Sequence, residues 1–323
     1  MDPKVYRQSN SLMMRTTYLY YEMGYSQSKI AKKFNISVST VSRLLNNAKK
    51  EKMVSFVVDE RVLEVSDLED IIKDKYGLKE VIIARWMEES YEPNKDDIKQ
   101  LVAFEGAQYI QRVIKDNDIL GITFGRTMYH MINFFNPCKK TDTQFVTLHG
   151  SLSQIHRDFN VDTLTKRMAM SFGGKNYCIK APGHAKTEYE ADMLIHRIDN
   201  SEVFDKFKHV NIAVSGIGSF YPNKDSYLCS ENYFNEEELK EFDEHKVYAD
   251  VGLRLINKNG EECSTSLKNR TIGISYEDFK NIPTKVIMVS GEYKKYSVKA
   301  ALNGNLADVL VIDYELAKGL LNI

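Results

Sequence analysis

The residues with the most chemical promise form one cationic string near the N-terminus and several glycine-bearing strings further on. Residues 26–43 read Ser-Gln-Ser-Lys-Ile-Ala-Lys-Lys-Phe-Asn-Ile-Ser-Val-Ser-Thr-Val-Ser-Arg. Hydroxyls at Ser37, Ser39, Thr40 and Ser42, with Gln27, suit phosphates or base edges, and Arg43 can fork onto a guanine. Lys32 and Lys33, with Lys29, Lys49 and Lys50, are candidates for salt-sensitive phosphate contacts. Further on, Phe124-Gly125-Arg126-Thr127 joins a predicted strand to a predicted helix. Its glycine lets the backbone approach a ligand, and free helix N–H groups favour an anion. Leu148-His149-Gly150-Ser151-Leu152-Ser153 and Ser215-Gly216-Ile217-Gly218-Ser219 end strands in the same small, polar manner.

Single residues add to this set without deciding its chemistry. Lys294 opens a predicted helix and either reaches a ligand or decorates the surface. Asp250 follows a short predicted strand and either accepts sugar hydroxyls or caps a turn. His149 is a phosphate donor or a structural histidine. Phe220-Tyr221-Pro222 stands where a dinucleotide loop needs its third glycine and helix, so that fingerprint is rejected. No H-E-x-x-H, G-x-S-x-G or P-loop pattern occurs, which leaves no catalytic residue to name. Cysteines 138, 178, 229 and 263 have no C-x-x-C spacing, so neither a zinc site nor a disulfide framework is expected.

The cationic string needs a scaffold of three helices. Tyr18, Leu19, Tyr20 and Met23 predict a first helix over 15–23, stopped by Gly24. Ser26 caps a second over 27–34, with Ile30, Ala31 and Phe34 on one face. After the break at 35–37 a third runs over 38–50 and buries Val41, Leu44, Leu45 and Ala48. This is the plan of a helix-turn-helix, whose last helix offers its N-terminal turn to a major groove. The strand-like run 54–58 suggests a wing, which makes 1–58 a winged helix-turn-helix domain. A charged helical stretch over 59–76 reads as a linker helix or as the first surface helix of the remainder.

From residue 77 to 323 strands and helices alternate. Strands are expected at 81–84, 119–124, 145–148, 210–214, 286–289 and 309–312. Helices are expected at 98–114, 127–135, 161–172, 188–196, 236–244, 294–302 and 314–321. That rhythm predicts an α/β domain with a largely parallel, Rossmann-like sheet covered on both faces, and ligands beyond its strand carboxyl ends.

Composition agrees with two ordinary folded domains: 323 residues, 43% hydrophobic and 28% charged. No apolar run reaches the roughly 18 residues of a membrane span, and the first residues lack a secretory core, so a cytoplasmic protein without a membrane partner is expected. The net charge of −1 hides an asymmetry: residues 1–53 carry ten Lys or Arg against three acids, and the rest 34 against 42. A head at +7 on a body at −8 points to an anionic partner for the head, although a solvated lysine-rich surface gives the same count.

Taken in order, these strings resemble the SorC family of bacterial sugar-responsive transcriptional regulators. The resemblance extends from Ser37-Val-Ser-Thr-Val-Ser-Arg43 through Gly121-Ile-Thr-Phe-Gly-Arg-Thr127, Phe145-Val-Thr-Leu-His-Gly150 and Ala213-Val-Ser-Gly-Ile-Gly-Ser219. It continues at Arg270-Thr-Ile-Gly-Ile-Ser275, Ser290-Gly-Glu-Tyr-Lys294, Ala301-Leu-Asn-Gly304 and Asp308-Val-Leu-Val-Ile-Asp313. It implies an effector domain of phosphosugar-isomerase type, a homotetramer, and operator DNA binding adjusted by a sugar phosphate rather than by a bound cofactor. Carried over by motif, Gly125, Arg126 and Thr127 are the phosphate cradle, His149, Gly150 and Ser151 the neighbouring wall, and Gly216, Ile217 and Gly218 the floor. Lys294 answers the ligand's charge. Ser290 and Ser151 stand where the family often has glycine, and His149 where it can have arginine. The competing expectation is a sugar-phosphate isomerase or hydrolase carrying an accessory DNA-binding head.

Overall fold

Two serines start the helices that shape the N-terminal unit. Ser26 accepts the N–H of Lys29 and opens α2 (Gln27–Phe34), and Ser37 accepts the N–H of Thr40 at 3.1 Å and opens α3 (Val38–Lys50). Between them Asn35 takes the left-handed conformation, φ 52° and ψ 47°, which Asn tolerates better than most residues and which turns the chain sharply. Ile30, Ala31, Val41 and Leu45 form the buried seam, and Leu44 and Ala48 pack on Met13 of α1 (Pro3–Tyr21). Helix α1 starts well before the predicted residue 15: it includes Leu12, Met13 and Met14, and the polar stretch 7–11 hides its earlier turns from apolar periodicity. The expected wing is absent: residues 54–58 form no strand. Phe56 lies edge-on to Tyr21 and under the Lys49 ammonium, and Val57 is 98% exposed. The run has β-forming side chains, but among the described residues no second strand pairs with it, and unpaired backbone donors and acceptors do not make a sheet.

The computed structural model describes residues 3–135, 140–153, 155–229 and 233–323, with side chains from residue 10 onward; Cys138 and the opening Met1-Asp2 lie outside these. The chain divides into two compact units, 1–63 and 64–323. Among the described residues no helix is long and apolar enough to cross a membrane.

The second unit is built on a sheet whose strands are apolar on both faces. It begins with α4 (Glu60–Tyr76), β1 (Glu80–Ala84), α5 (Lys95–Val113), β2 (Ile119–Ile122), α6 (Arg126–Asn133) and β3 (Gln144–Thr147). There follow α7 (Val161–Phe172), β4 (Lys175–Tyr177), α8 (Glu188–Ile195), α9 (Ile198–Phe207), β5 (Ile212–Ser215), β6 (Gly218–Ser219) and α10 (Glu236–Glu244). The unit closes with β7 (Ala249–Val251), β8 (Arg254–Ile256), α11 (Tyr276–Lys280), β9 (Thr284–Val289), α12 (Lys295–Asn303), β10 (Val309–Asp313) and α13 (Tyr314–Leu321). Seven strands form one parallel sheet in the order β1-β10-β9-β5-β2-β3-β4. Strand β10 illustrates the two-sided burial: Leu310 and Ile312 enter one core, Val309 and Val311 the other.

The path through the sheet reverses once. From β2 the chain moves outward to β3 and β4, then returns to the other side of β2 with β5 and moves on to β9 and β10. The two loops leaving β2 and β5 therefore diverge to opposite faces, and a crevice opens at their carboxyl ends. A small antiparallel sheet, β6-β7-β8, follows directly from the β5 loop. Strands β4, β6 and β8 and helix α11 were not among the expected elements because they are only two to five residues long, and α9 was not expected either. Helix α4 belongs to the body along most of its length, with Val65, Leu68 and Ile72 in its core.

Candidate functional site

The crevice at the β2/β5 reversal is a cleft of about 660 Å³ counted to its open mouth. Gly125 stands at its edge with φ +127° and no atom within 4 Å of where a Cβ would sit, so the constraint there is conformational rather than steric. It opens α6 without any side-chain cap, which leaves the first-turn amides of the helix directed at the cleft. Arg126 is exposed, makes no ion pair or side-chain hydrogen bond among the described residues, and lies 5.9 Å over the Tyr227 ring. Thr127 completes the strip. On the β5 side Thr123 donates to Ser215, which donates to the Gly216 carbonyl, and so ties the two diverging loops together.

Two carboxylates and two further cations define the charge. Lys294 bonds Asp225 at 3.1 Å and the Ile217 carbonyl at 3.1 Å, and Tyr293 also donates to Asp225. Burial pushes the Asp225 carboxyl up, but Lys294, Tyr293 and Arg126 outweigh it and hold the pKa below its ordinary value. Lys99, from α5, is lowered by burial and by the nearby Arg126 and Lys294 charges, and only partly restored by Asp96 and Asp225. A group that gains from an added anion is the expected result of such crowding. Asp250 lies inside β7 rather than after a strand, 3% exposed, and accepts from Ser226 at 2.6 Å. Burial pushes it up to about 6 against the opposing pull of Ser226 and Lys294.

Eight residues singled out from the sequence thus line one cleft: Gly125, Arg126, Thr127, Gly216, Ile217, Gly218, Asp250 and Lys294. The expected wall of His149, Gly150 and Ser151 does not join them. His149 is fully buried and accepts the Phe124 N–H through Nε2 at 3.1 Å, which leaves Nδ1 to donate to the Gly150 carbonyl at 2.7 Å. With both nitrogens spent and its pKa driven down to about 4 by burial, it braces the loop from behind. Gly150 packs against the Pro182 carbonyl, where a Cβ would come within 2.4 Å, and Ser151 donates to Asp162. Lys99, Asp225 and Ser226 were missed. Lys99 sits in an alternating charge run that looks like a solvated helix face, and the other two follow Pro222 in a loop without a motif.

In the N-terminal unit α3 turns Ser39 and Arg43 outward, with Ser42 half-buried, and Asn46 and Asn47 extend the exposed face one turn further. Lys32 and Lys33 are exposed in the last turn of α2, and Gln27 is half-buried at its start. Ser37 differs from expectation. Its hydroxyl caps α3 and bonds those of Ser39 and Thr40 at 2.7 and 2.8 Å, so its first duty is to hold the turn.

A helix-turn-helix unit joined in one chain to a doubly wound body with a cation-lined cleft defines the class of ligand-sensing transcriptional regulators. The family described as "Putative sugar-binding domain" matches residues 60–322. The deoxyribonucleoside regulator of Bacillus subtilis is 30% identical over 322 residues, 98% of this chain and 99% of that protein. The crystal structure of the full-length sorbitol operon regulator SorC from Klebsiella pneumoniae superposes with a TM-score of 0.76 at 22% identity, over 96% of this chain and 98% of that one. A DeoR family transcriptional regulator from Listeria monocytogenes superposes at 0.70 with 27% identity, over 80% of this chain and 99% of its own. The chain belongs to the SorC family of sugar-binding transcriptional regulators.

Proposed function

We propose that this protein binds operator DNA through α3 and regulates carbohydrate metabolism, with its operator affinity set by a phosphorylated sugar held in the β2/β5 cleft. The observation that carries the effector class is Arg126, a guanidinium that makes no ion pair or side-chain hydrogen bond among the described residues, beside an uncapped helix N-terminus. Lys99 and Lys294 add to the same field, and buried Asp250 offers an acceptor for sugar hydroxyls. The +7 charge of residues 1–53 supports DNA as the partner of the head. Ligand binding changes operator affinity only by favouring one state of the regulator over another, and α4 is the segment assigned to carry that change. A homotetramer in the cytoplasm belongs to the same reading by family resemblance, and sedimentation of the full chain measures the oligomer.

Operator fragments are titrated with full-length protein in the presence and absence of a sugar-phosphate panel, with melting shift reporting ligand binding separately. A sugar phosphate that raises the melting temperature and alters operator affinity is the expected result. A ligand that stabilises the protein and leaves DNA affinity unchanged rejects the allosteric part. Turnover of that ligand, lost in Asp250→Asn, favours the isomerase-like alternative instead.

A further inference from the structure

The cleft has a second lobe, which opens beside the first past Ser290 and Gly291 and shares Lys99, Arg126, Asp225 and Ser290 with it. Its own wall comes from the start of α5 and the turn before α12, including Asn94, Asn223 and Tyr293. The two lobes differ in charge. The first sets Lys99, Arg126 and Lys294 against Asp225 and Asp250, and adds the N-terminus of α6. The second sets Lys95, besides the shared Lys99 and Arg126, against Asp96, Asp225, Glu292, Asp313 and Glu315.

From this contrast we infer that the cleft selects sugars carrying one phosphate and rejects the corresponding bisphosphates, the phosphate occupying the first lobe and the uncharged polyol end the second. The inference rests on the reading above that the effector is a phosphorylated sugar. Once a phosphate draws on Lys99 and Arg126, Lys95 is the remaining cation in that lobe's lining beside five carboxylates, three of which, Asp225, Glu292 and Glu315, pair with lysines outside it. Those carboxylates are also largely engaged. Asp313 accepts the Gly291 and Leu316 N–H groups, Asp225 accepts from Lys294 and Tyr293, and Glu292 and Glu315 pair with Lys295 and Lys318. A second phosphate entering there meets like charge without a donor set prepared for it. Sugar hydroxyls meet the opposite situation, because carboxylates and the Asn94 and Asn223 amides accept from them.

Matched pairs test this on the full-length protein: fructose 6-phosphate with fructose 1,6-bisphosphate, glucose 6-phosphate with glucose 1,6-bisphosphate, and ribulose 5-phosphate with ribulose 1,5-bisphosphate. Inorganic phosphate serves as the reference for the head group alone. Dissociation constants come from calorimetry at fixed ionic strength. At least one monophosphate binds about tenfold or more tightly than its bisphosphate partner. The double variant Glu292→Gln with Glu315→Gln, both exposed positions, narrows that gap severalfold by strengthening bisphosphate binding relative to monophosphate binding. A bisphosphate that binds as tightly as its partner overturns the inference and leaves the sugar-phosphate reading standing. An unchanged gap in the double variant overturns its electrostatic basis. If no phosphorylated sugar in the panel binds, both readings fall together.

Discussion

Gly218 and Asp250 face each other across the β6/β7 pair so closely that a Cβ on residue 218 would stand 1.9 Å from Asp250 Oδ1. The glycine there is a spacing requirement of the buried carboxylate and of its Ser226 hydrogen bond. Gly218→Ala must move either the strand or the carboxylate, and overpacking of this kind costs about 1–3 kcal/mol. Thermal melts should show that loss together with weakened effector binding. Gly216→Ala is the comparison: its Cβ meets only the Met288 carbonyl at 3.8 Å, an ordinary contact, and its melt should match the parent's.

His149 and Asp250 give the body opposite responses to acid. His149 is held down to about 4 by burial against an ordinary 6.5, so an unfolded chain takes up its proton first and stability is lost as pH falls from 6.5 towards 4. Asp250 is held up to about 6 by burial against an ordinary 3.8, so the native state takes up its proton first and stability is gained as pH falls from 6 towards 3.8. Each shift corresponds to about 3 kcal/mol at full extent. His184, driven by burial down to about 3, acts in the same direction as His149. His149→Gln, whose amide can serve both Phe124 N–H and Gly150 carbonyl, should lose less stability between pH 7 and 5 than the parent. Asp250→Asn should lose more. Melting temperatures across that range decide it, and parallel slopes for the three proteins contradict the assignment.

Arg126 differs from Lys294 in holding no ion pair or side-chain hydrogen bond among the described residues. Its guanidinium forms no such bond there and only lies 5.9 Å over the Tyr227 ring, so Arg126→Ala should leave unliganded stability within about 0.5 kcal/mol of the parent. Loss of a charged hydrogen bond to the effector should weaken binding about tenfold to a hundredfold. Lys294→Ala also releases Asp225 and the Ile217 carbonyl, so it should lower both binding and stability. Calorimetric affinity beside unliganded melts separates the two effects.

Much of the sheet and part of the cleft were legible in the sequence for a common reason. Strands such as 309–313 are apolar on both faces, and the glycines mark particular backbone needs, a positive φ at 125 and a close approach to Asp250 at 218. What stayed hidden depends on contacts distant in the chain. His149 looks like a donor at a strand end, yet the turn of Phe124 behind the sheet consumes its free nitrogen, a fact available only once residues 124 and 149 are adjacent. Lys99 enters the cleft because α5 packs over β9 and β10, which local charge alternation cannot reveal. The false wing has the same origin: the strand propensity of 54–58 was real, and the partner strand was missing.

The exposed face of α3 separates residues that fold the head from residues that read a sequence. Ser37 is committed to the helix cap, and its removal in Ser37→Ala should cost about 1 kcal/mol of stability in the head. That loss acts on operator and random DNA alike, because it lowers the folded fraction rather than a base contact. Arg43 is exposed on the same helix, and none of its contacts enters the buried seam. Arg43→Ala should therefore spare the melt, weaken operator binding by about 1–3 kcal/mol, and leave random DNA much less affected. Lys32→Ala and Lys33→Ala should weaken both DNAs together and flatten the salt dependence by about one unit each. Equal losses on both DNAs for Arg43→Ala would move it from base reading to backbone contact, and exposed Asn46, one turn further along, would then be the residue to examine for specificity.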